Sequence, residues 1–419
     1  MNAPVASRAA ERRPILLVLA STYPRWQGDH EPGFVHELSR RLTTCFDVTV
    51  LCPHAEGALT QEQMDGVNIV RYRYAPARWE RLVNDGGIVA NLRHRPWTAV
   101  LLPSFLLGQL WAAGRLLRSR SPAVVHAHWI LPQGWMMAML QLIGMRAPPT
   151  LVTSHGADLF ALRGRLAMWL KRFTLRRVQA TSVVSSAMRA PMLALGARAD
   201  ALTVAPMGVD LEHLFTPDPR RPRSSHELLF VGRLVEKKGL RHLLDALPQV
   251  IQRHPGATLN VVGFGPELLK CRRLVEHLGL QAHVHFLGAL SQDALPELYR
   301  RSSMLVTPFV QAGSGDQEGL GLVMVEALGC GCPVVTTRLP AIRELQDGHW
   351  PPYLAEPGDA ESLALQINEV LDNPTAALGW VEALRPSLVA RFDHASVARG
   401  YAKQLKALLA SGTAAEATL

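Results

Sequence analysis

The chain has 419 residues, of which 48% are hydrophobic and 19% charged. It is too apolar for a disordered chain, too poor in charge for a coiled coil, and long enough for two cores, since single cores stop growing at roughly 250–300 residues. The net charge of +9 suggests an anionic partner: nucleic acid, acidic membrane or a phosphorylated substrate.

The excess is lopsided. Residues 1–210 carry 24 Lys and Arg against 13 Asp and Glu, whereas residues 211–419 carry 20 against 22. Five cysteines (Cys45, Cys52, Cys271, Cys330, Cys332) without CxxC spacing fit a reducing compartment with no disulfide framework.

After Arg12-Arg13-Pro14 the apolar run Ile15–Ala20 is too short for a secretory signal and reads as a first buried strand. Further strands are expected at Asp47–Cys52, Asn68–Tyr74, Ala123–Trp129, Thr150–His155, Ala180–Ser186 and Leu202–Gly208. Trp97–Leu117, nearly uncharged, has the length of a membrane span, but Pro103, Gly108 and Gly114 interrupt it. It is expected to be a largely buried helix of an α/β domain. A second set of strands follows at Glu227–Arg233, Thr258–Gly263, Val284–Gly288, Ser303–Phe309 and Pro333–Arg338. Continuous apolar strands alternating with helices predict doubly wound parallel sheets. The segment Phe215–Ser225, with three prolines and no periodicity, divides them. The expected domains are 1–213, a linker at 214–226, and 227–384.

Ligands of such sheets bind beyond the carboxyl ends of the strands, and the informative motifs fall there. Gln317-Glu318-Gly319-Leu320-Gly321 precedes an apolar helical run containing Glu326. A helix opening at Gly319–Gly321 offers free N–H groups to an anion, while the two carboxylates suit hydroxyls; a diphosphate flanked by sugars meets both needs. Alone, the Glu-x7-Glu spacing also fits a glycosidase pair or two incidental acids. Arg233 and Lys238 follow the strand Glu227–Arg233 and could neutralise a diphosphate, or form a solvated basic turn. Gly263-Phe264-Gly265-Pro266 is a tight strand-to-helix turn, lacking the third glycine of a dinucleotide fingerprint. In the first half, His155 stands at a strand end beside Gly156, and Gly33 would allow close approach of a ligand to the loop Pro24–Phe34.

Together the GRL-x3-KG turn from Gly232, the GxGP turn, the EGxG…E block with ALGCGCPVV, the TSHG strand end and Pro206-Met207-Gly208-Val209-Asp210 resemble the GT-B glycosyltransferases, specifically the large retaining family 4, or group 1. The resemblance spans nearly the whole chain. It implies two Rossmann-like α/β domains facing across a cleft, with a helix at about 385–410 completing the first. It also implies transfer of a sugar from a nucleotide-diphosphate sugar, UDP-sugar favoured over GDP-sugar, to a hydroxyl with retention and without a metal. By the same resemblance Glu326 binds the ribose hydroxyls, and Glu318 with the backbone of Gly319, Leu320 and Gly321 holds the transferred sugar. Arg233 and Lys238 stabilise the leaving diphosphate, and His155 contacts the donor sugar. Gly33 underlies the diphosphate, although the usual double glycine is absent. Gly263 and Gly265 belong to the donor site. A catalytically silent nucleotide- or glycan-binding scaffold and a nucleotide-sugar epimerase of the same fold are the alternatives.

In this fold the first domain takes the acceptor, a glycan or a lipid-linked one. Arg163, Arg165, Lys171, Arg172, Arg176 and Arg177 alternate with Leu166, Trp169, Leu170 and Phe173 at helical spacing, with no acid among them. The pattern fits docking on anionic lipid, as it also fits a domain helix with a solvated basic face. No nucleic-acid motif is present. The expectation is a cytoplasmic protein, peripheral on the inner face of the cytoplasmic membrane, acting in exopolysaccharide, lipopolysaccharide or glycolipid assembly.

Overall fold

A computed structural model describes residues 13–416 apart from 30–32, 85–86, 89–90, 93–94 and 346–350. Arg12, residues 30–32 of the first loop and the last residues of the Ala-rich tail lie outside the described residues. The chain forms two doubly wound sheets, as the alternation of strands and helices predicts.

The first sheet contains β1 (Ile15–Leu19), β2 (Asp47–Pro53), β3 (Gln61–Met64), β4 (Val67–Tyr72), β5 (Val124–His128), β6 (Thr150–Ser154), β7 (Ala180–Val183) and β8 (Leu202–Val204), in the order β3-β4-β2-β1-β5-β6-β7-β8. All neighbours are parallel except β3 and β4. Strand β3 was not expected, because Gln61-Glu62-Gln63 shows no apolar run. It forms because Asp65 and Gly66 both adopt positive φ (47° and 79°), making the two-residue turn that suits the twist of a hairpin.

The second sheet contains β9 (Glu227–Val231), β10 (Thr258–Val262), β11 (Val284–Gly288), β12 (Met304–Thr307), β13 (Val334–Thr337) and β14 (Leu354–Ala355), in the order β11-β10-β9-β12-β13-β14. Alternation along β9 sends Leu229 and Val231 into a core shared with the first domain and Leu228 and Phe230 into an outer core. Each such side chain contributes about 1.5–3 kcal/mol relative to exposure. The strand order reverses between β1 and β5 in one sheet and between β9 and β12 in the other. The crevices at those reversals are where ligands bind.

Helices Leu102–Arg120, Trp135–Leu142 and Arg165–Leu175 pack in a row on the first sheet. Helix Phe34–Leu42 pairs with the terminal helix His394–Glu416, which also rests on β5 and β6. Right-handed crossovers running in opposite directions from β1 place these two sets on opposite faces. The chain passes between domains twice, side by side. Val209 N donates to Phe392 O (2.8 Å) and His394 N to Val209 O (3.1 Å). Gly208 is needed here, since a Cβ would lie 2.6 Å from His394 Nδ1.

The proline-rich segment at 215–225 is irregular, as its lack of periodicity predicts, and is strapped to the second domain. Arg223 donates to Tyr299 O (2.8 Å) and Gly331 O (3.0 Å), Arg300 donates to Thr216 O (2.6 Å), and Phe215 is buried. The segment Trp97–Leu117 becomes a 3-10 turn and the helix Leu102–Arg120, and only one side of it is buried, through Phe105, Gln109, Ala112 and Leu117. A helix lying on a sheet covers one stripe of its surface, so Trp97, Val100, Leu107 and Trp111 stay exposed. It is the one helix among the described residues long and apolar enough to cross a membrane.

A second expectation overturned, after that of a largely buried helix, is Lys171, expected on a basic outer face. It points inward with no exposed surface, and its Nζ donates to Leu159 O (2.8 Å) and Leu162 O (2.7 Å). Burial pulls its ammonium down to about 8. Lys171→Ala should therefore cost about 2–4 kcal/mol, leaving two buried carbonyls unpaired and a void. Arg172→Ala, exposed on the same helix, should change stability by less than about 0.5 kcal/mol. Urea denaturation of the two variants measures the contrast.

Candidate active site

The second-domain half of the site is built on turns that only glycine permits. After β9 the chain runs through Arg233 and a 3-10 turn (Glu236–Lys238) to Gly239 at φ +70°, where a Cβ would sit 1.8 Å from Pro308 O at the end of β12. Gly263 (φ +134°) and Gly265 (φ +158°) approach the Gly232 and Leu234 carbonyls so closely that a Cβ would fall 1.9 and 2.4 Å from them. These two glycines were expected as donor-site residues. The structure employs them first to lock the β9 and β10 turns together, and Gly265 also lines the interdomain cavity.

Glu236, Lys237 and Lys238 each grip the loop that follows β12. Glu236 Oε1 accepts from Gly313 N (2.8 Å), Lys237 Nζ donates to Asp316 Oδ1 (3.2 Å) and Gln317 O (3.3 Å), and Lys238 Nζ donates to Glu318 Oε2 (2.8 Å). The Lys238 ammonium also lies 4.8 Å above the Phe309 ring. Burial alone would raise the Glu318 carboxyl, but the Lys238 and Lys237 ammonium groups outweigh it and hold it at about 2. Burial in turn lowers Lys238, against the pull of Glu318.

Gly321 takes a left-handed conformation (φ +81°) and opens the helix Leu322–Gly329, which leaves the backbone N–H groups of its first turn without helical partners. Leu320 turns its side chain into the core, so it can serve a ligand only through its backbone. Glu326, one turn inside, is buried and accepts from Tyr299 OH (2.9 Å). Burial pushes its carboxyl up to about 7, although Tyr299, Lys238 and Gln292 all favour the charged form. One ammonium thus acts on both carboxylates.

Across the cleft, His155 follows β6. Its ring shares a 2.9 Å hydrogen bond with His128 Nδ1 through Nε2 and packs beside the Trp129 ring (5.0 Å) and the Phe34 ring (5.1 Å). Burial lowers His155 to about 3, so it works as a neutral imidazole. Asp158, buried, accepts from His155 N (3.1 Å), Ser154 Oγ (2.9 Å) and Ile130 N (2.7 Å), fixing the strand end. Gly33 caps the helix that carries Phe34, with open space where a Cβ would be.

The domains touch where this half meets the other. A Cβ on Gly319 would lie 2.9 Å from His155 O, and one on Gly156 would lie 3.3 Å from Gly319 Cα. Arg163 donates across to Gly315 O (3.3 Å), and Ser186 N to Glu344 Oε2 (2.7 Å). His155, Glu318, Lys238, Glu326 and Gly319–Gly321 are therefore gathered at one interdomain contact. Beside it an interdomain cavity of about 730 Å³ is lined by Arg233 and Gly265 from one domain and Arg25, Glu80, Arg81 and Arg95 from the other.

Sequence reasoning did not single out Glu236, Lys237, Tyr299, His128 or Asp158 as site residues. Two of them left a signal. His126 and His128 stand two apart in an apolar strand, hence on one buried face, and Asp158 three residues after His155 is the spacing of a turn acid. Tyr299 is far from Glu326 in sequence and left none. Among the described residues, no cluster of three His, Cys, Asp or Glu side chains could hold a metal ion.

Residues 216–385 match the family described as glycosyl transferases group 1, and residues 34–208 match a glycosyl transferase 4-like domain. A glycogen synthase of Mycobacterium tuberculosis is 31% identical over 68% of this chain and 69% of its own length. The chain belongs to the group 1 glycosyltransferases. A GDP-mannose-dependent alpha-(1-6)-phosphatidylinositol monomannoside mannosyltransferase of Mycolicibacterium smegmatis is 27% identical over 87% of this chain and 91% of its own. The structure of Anabaena HepE in complex with UDP-glucose superposes with a TM-score of 0.71 at 17% identity, over 94% of this chain and all of that one, which establishes the GT-B architecture. The transferase is an enzyme of the hexosyltransferase type.

In the transferase, Lys238→Met should leave the buried Glu318 carboxylate without its ion-pair partner, with only the more distant Lys237 and Gly319 N beside it, at a cost of about 3 kcal/mol. Lys238→Met with Glu318→Gln should recover much of that. Glu318 lies below its usual value of 4.5, so its stabilisation is present above that value and lost as pH falls toward about 2. The double variant should lack this acid-dependent loss. Denaturation of the three forms across acidic pH tests the pair.

Proposed function

We propose that the transferase moves a sugar from a nucleotide-diphosphate sugar, UDP-sugar in preference to GDP-sugar, to a hydroxyl acceptor with retention of configuration and without a metal. The observation that carries this reading is the Lys238–Glu318 pair beside Glu326 and the open helix end at Gly321, set against His155. In this reading Glu326 accepts hydrogen bonds from the ribose hydroxyls. Phe264, Leu287 and Leu290, half-exposed near the carboxyl ends of β10 and β11, offer an apolar face to the base. The diphosphate lies toward Lys238 and Arg233, with Gly33 and the N–H groups at Gly319–Gly321 beside it.

As the bond between the sugar's anomeric carbon and the leaving phosphate oxygen breaks, negative charge collects on the diphosphate, and two fixed cations act where that charge grows. Lys238 then shifts its hydrogen bonding from Glu318 to phosphate, freeing Glu318 for the sugar hydroxyls near the reacting carbon. His155, neutral, hydrogen-bonds the donor sugar beside the scissile bond. The acceptor oxygen attacks from the leaving-group side, forms the new bond to the anomeric carbon and passes its proton to the departing phosphate oxygen. The HepE complex with UDP-glucose supports a uridine donor, and the mycobacterial mannosyltransferase makes guanosine the second choice.

The reading extends to assembly of exopolysaccharide, lipopolysaccharide or glycolipid, on a glycan or lipid-linked acceptor. Support comes from that mannosyltransferase, whose name specifies a phosphatidylinositol monomannoside, and from an Escherichia coli relative named for colanic acid biosynthesis. Five free cysteines suit a reducing cytoplasm, and we place the enzyme there, peripheral on the inner face of the cytoplasmic membrane.

UDP should raise the melting temperature more than GDP, and GDP more than ADP. With the matching donor, nucleoside diphosphate should be released only when acceptor is present, the early product should keep the donor's anomeric configuration by NMR, and EDTA should change nothing. Lys238→Ala should lower kcat by about a hundredfold or more. Because the protonated Glu326 cannot accept both ribose hydrogen bonds, affinity for UDP should fall as pH drops below about 7. Glu326→Gln should bind UDP weakly and without that pH dependence. Release of nucleotide without acceptor, or full turnover in Lys238→Ala, would reject the assignment.

A further inference from the structure

The first domain presents an apolar surface that the other described residues leave uncovered. Along the segment Pro96–Arg120, Trp97, Val100, Leu107 and Trp111 follow one another at steps of three, seven and four residues on the side away from the sheet, and Arg115 and Arg118 continue the stripe. Leu107 and Trp111 are 64% and 69% exposed, far more than a core helix face leaves open. The Arg115 guanidinium lies 5.7 Å from the centre of the Trp111 ring. The neighbouring helix Trp135–Leu142 ends in exposed Leu142 and Ile143. The next in the row, Arg165–Leu175, adds Leu166 (70% exposed) and Trp169, whose ring stacks on Phe173 at 5.6 Å with Arg177 over the other ring at 3.8 Å.

Charge identifies what this face meets. From residue 86 to residue 199 the chain contains one acid, Asp158. That acid is buried and held by Ile130 N and Ser154 Oγ, so the whole stretch shows solvent no carboxylate at all. Exposed arginines (Arg115, Arg118, Arg165, Arg172, Arg176) border the apolar residues. Nucleic acid would use the arginines but not a stripe of Leu, Val and Trp. An anionic bilayer surface takes both, with aliphatic side chains at the acyl boundary, tryptophans at headgroup level and arginines on phosphate.

The face also begins at the cleft. Arg95 lines the interdomain cavity and Trp97 starts the stripe two residues later; Arg163 reaches Gly315 across the cleft and Arg165 lies on the face two residues later. We propose, resting on the reading of a surface-glycan transferase above, that the three-helix face built on Pro96–Arg120 seats on an anionic lipid surface and opens the interdomain cavity toward acceptors carried in that surface. The docking element is thus chiefly the helix whose length and apolarity pass for a membrane span, with the helix Arg165–Leu175 as its basic flank.

The test uses the full chain and sedimented vesicles, phosphatidylcholine alone and with about one-third phosphatidylglycerol. The wild type should be recovered on the anionic vesicles and only weakly on the neutral ones. Leu107→Glu with Trp111→Glu should reduce anionic-vesicle affinity by about tenfold or more, and Arg165→Glu with Arg172→Glu should remove the preference for anionic lipid. All four positions are exposed, so melting temperature and the UDP-induced thermal shift should stay as in the wild type. Equal recovery on both vesicles, or full binding by Leu107→Glu/Trp111→Glu, would overturn the proposal. So would a wild-type dimer in sedimentation that this variant makes monomeric, since a second copy would then cover the face. Loss of the UDP shift in the wild type would instead reject the nucleotide-sugar reading and leave the vesicle result to judge the surface.

Discussion

The site depends on backbone meeting backbone at the carboxyl ends of the strands, with no room for a Cβ between. Gly239 lies against the Pro308 carbonyl, Gly263 against Gly232, Gly265 against Leu234, and Gly319 against His155. The first three draw the turns after β9, β10 and β12 into one platform, and the last closes that platform on the other domain. A methyl group at Gly239 or Gly263 would overlap a carbonyl oxygen at under 2 Å. The positions of Lys238, Glu318 and Glu326 follow from those contacts, because each side chain sits on a turn or helix that the contacts hold in place.

On that platform the charged groups are buried but balanced unequally. Glu318 has an ammonium at 2.8 Å and remains ionised far into acid, whereas Glu326 has a phenol for its nearest partner and titrates at about 7. Two carboxylates eight residues apart thereby acquire different properties from their surroundings alone. His155 and His128 stay neutral because nothing near them repays the cost of burying a cation, and coulombic repulsion between histidines adds to it. The arrangement thus contains one buried cation–anion pair, Lys238 with Glu318, and leaves the remaining groups as hydrogen-bonding partners.

The lopsided charge has a structural counterpart. In the second half, Lys237 and Lys238 turn inward onto the loop at 313–318 and Arg223 reaches from the linker to second-domain carbonyls, while exposed cations such as Arg241 and Lys270 are offset by the half's slight excess of acids. In the first half most arginines of the three-helix row remain outside, beside tryptophans and leucines. Lys171, buried, and Arg163, exposed but turned to the other domain, have other partners. One holds two carbonyls in the interior and the other bridges the cleft, so they serve the fold rather than the surface.

Much of this was legible in the residues. Strand runs such as Leu228–Val231, whose side chains are apolar on both faces, and glycines at strand ends carry local geometry that any context preserves, so the two sheets, the EGxG…E block and His155 could be located from sequence. Strand β3 escaped because Gln61–Met64 is a polar edge strand made by its Asp65-Gly66 turn rather than by apolar pattern. Tyr299 and Lys237 escaped because their partners lie 27 and 79 residues away, a distance no local spacing encodes. Composition alone determined that the chain holds two cores and that the first half is basic. Only the tertiary structure decided which apolar helix side is buried and which of six cations between Arg163 and Arg177 face outward. Periodicity defines a helix's faces, but the sheet it lies on and the carbonyls within reach select the one turned inward.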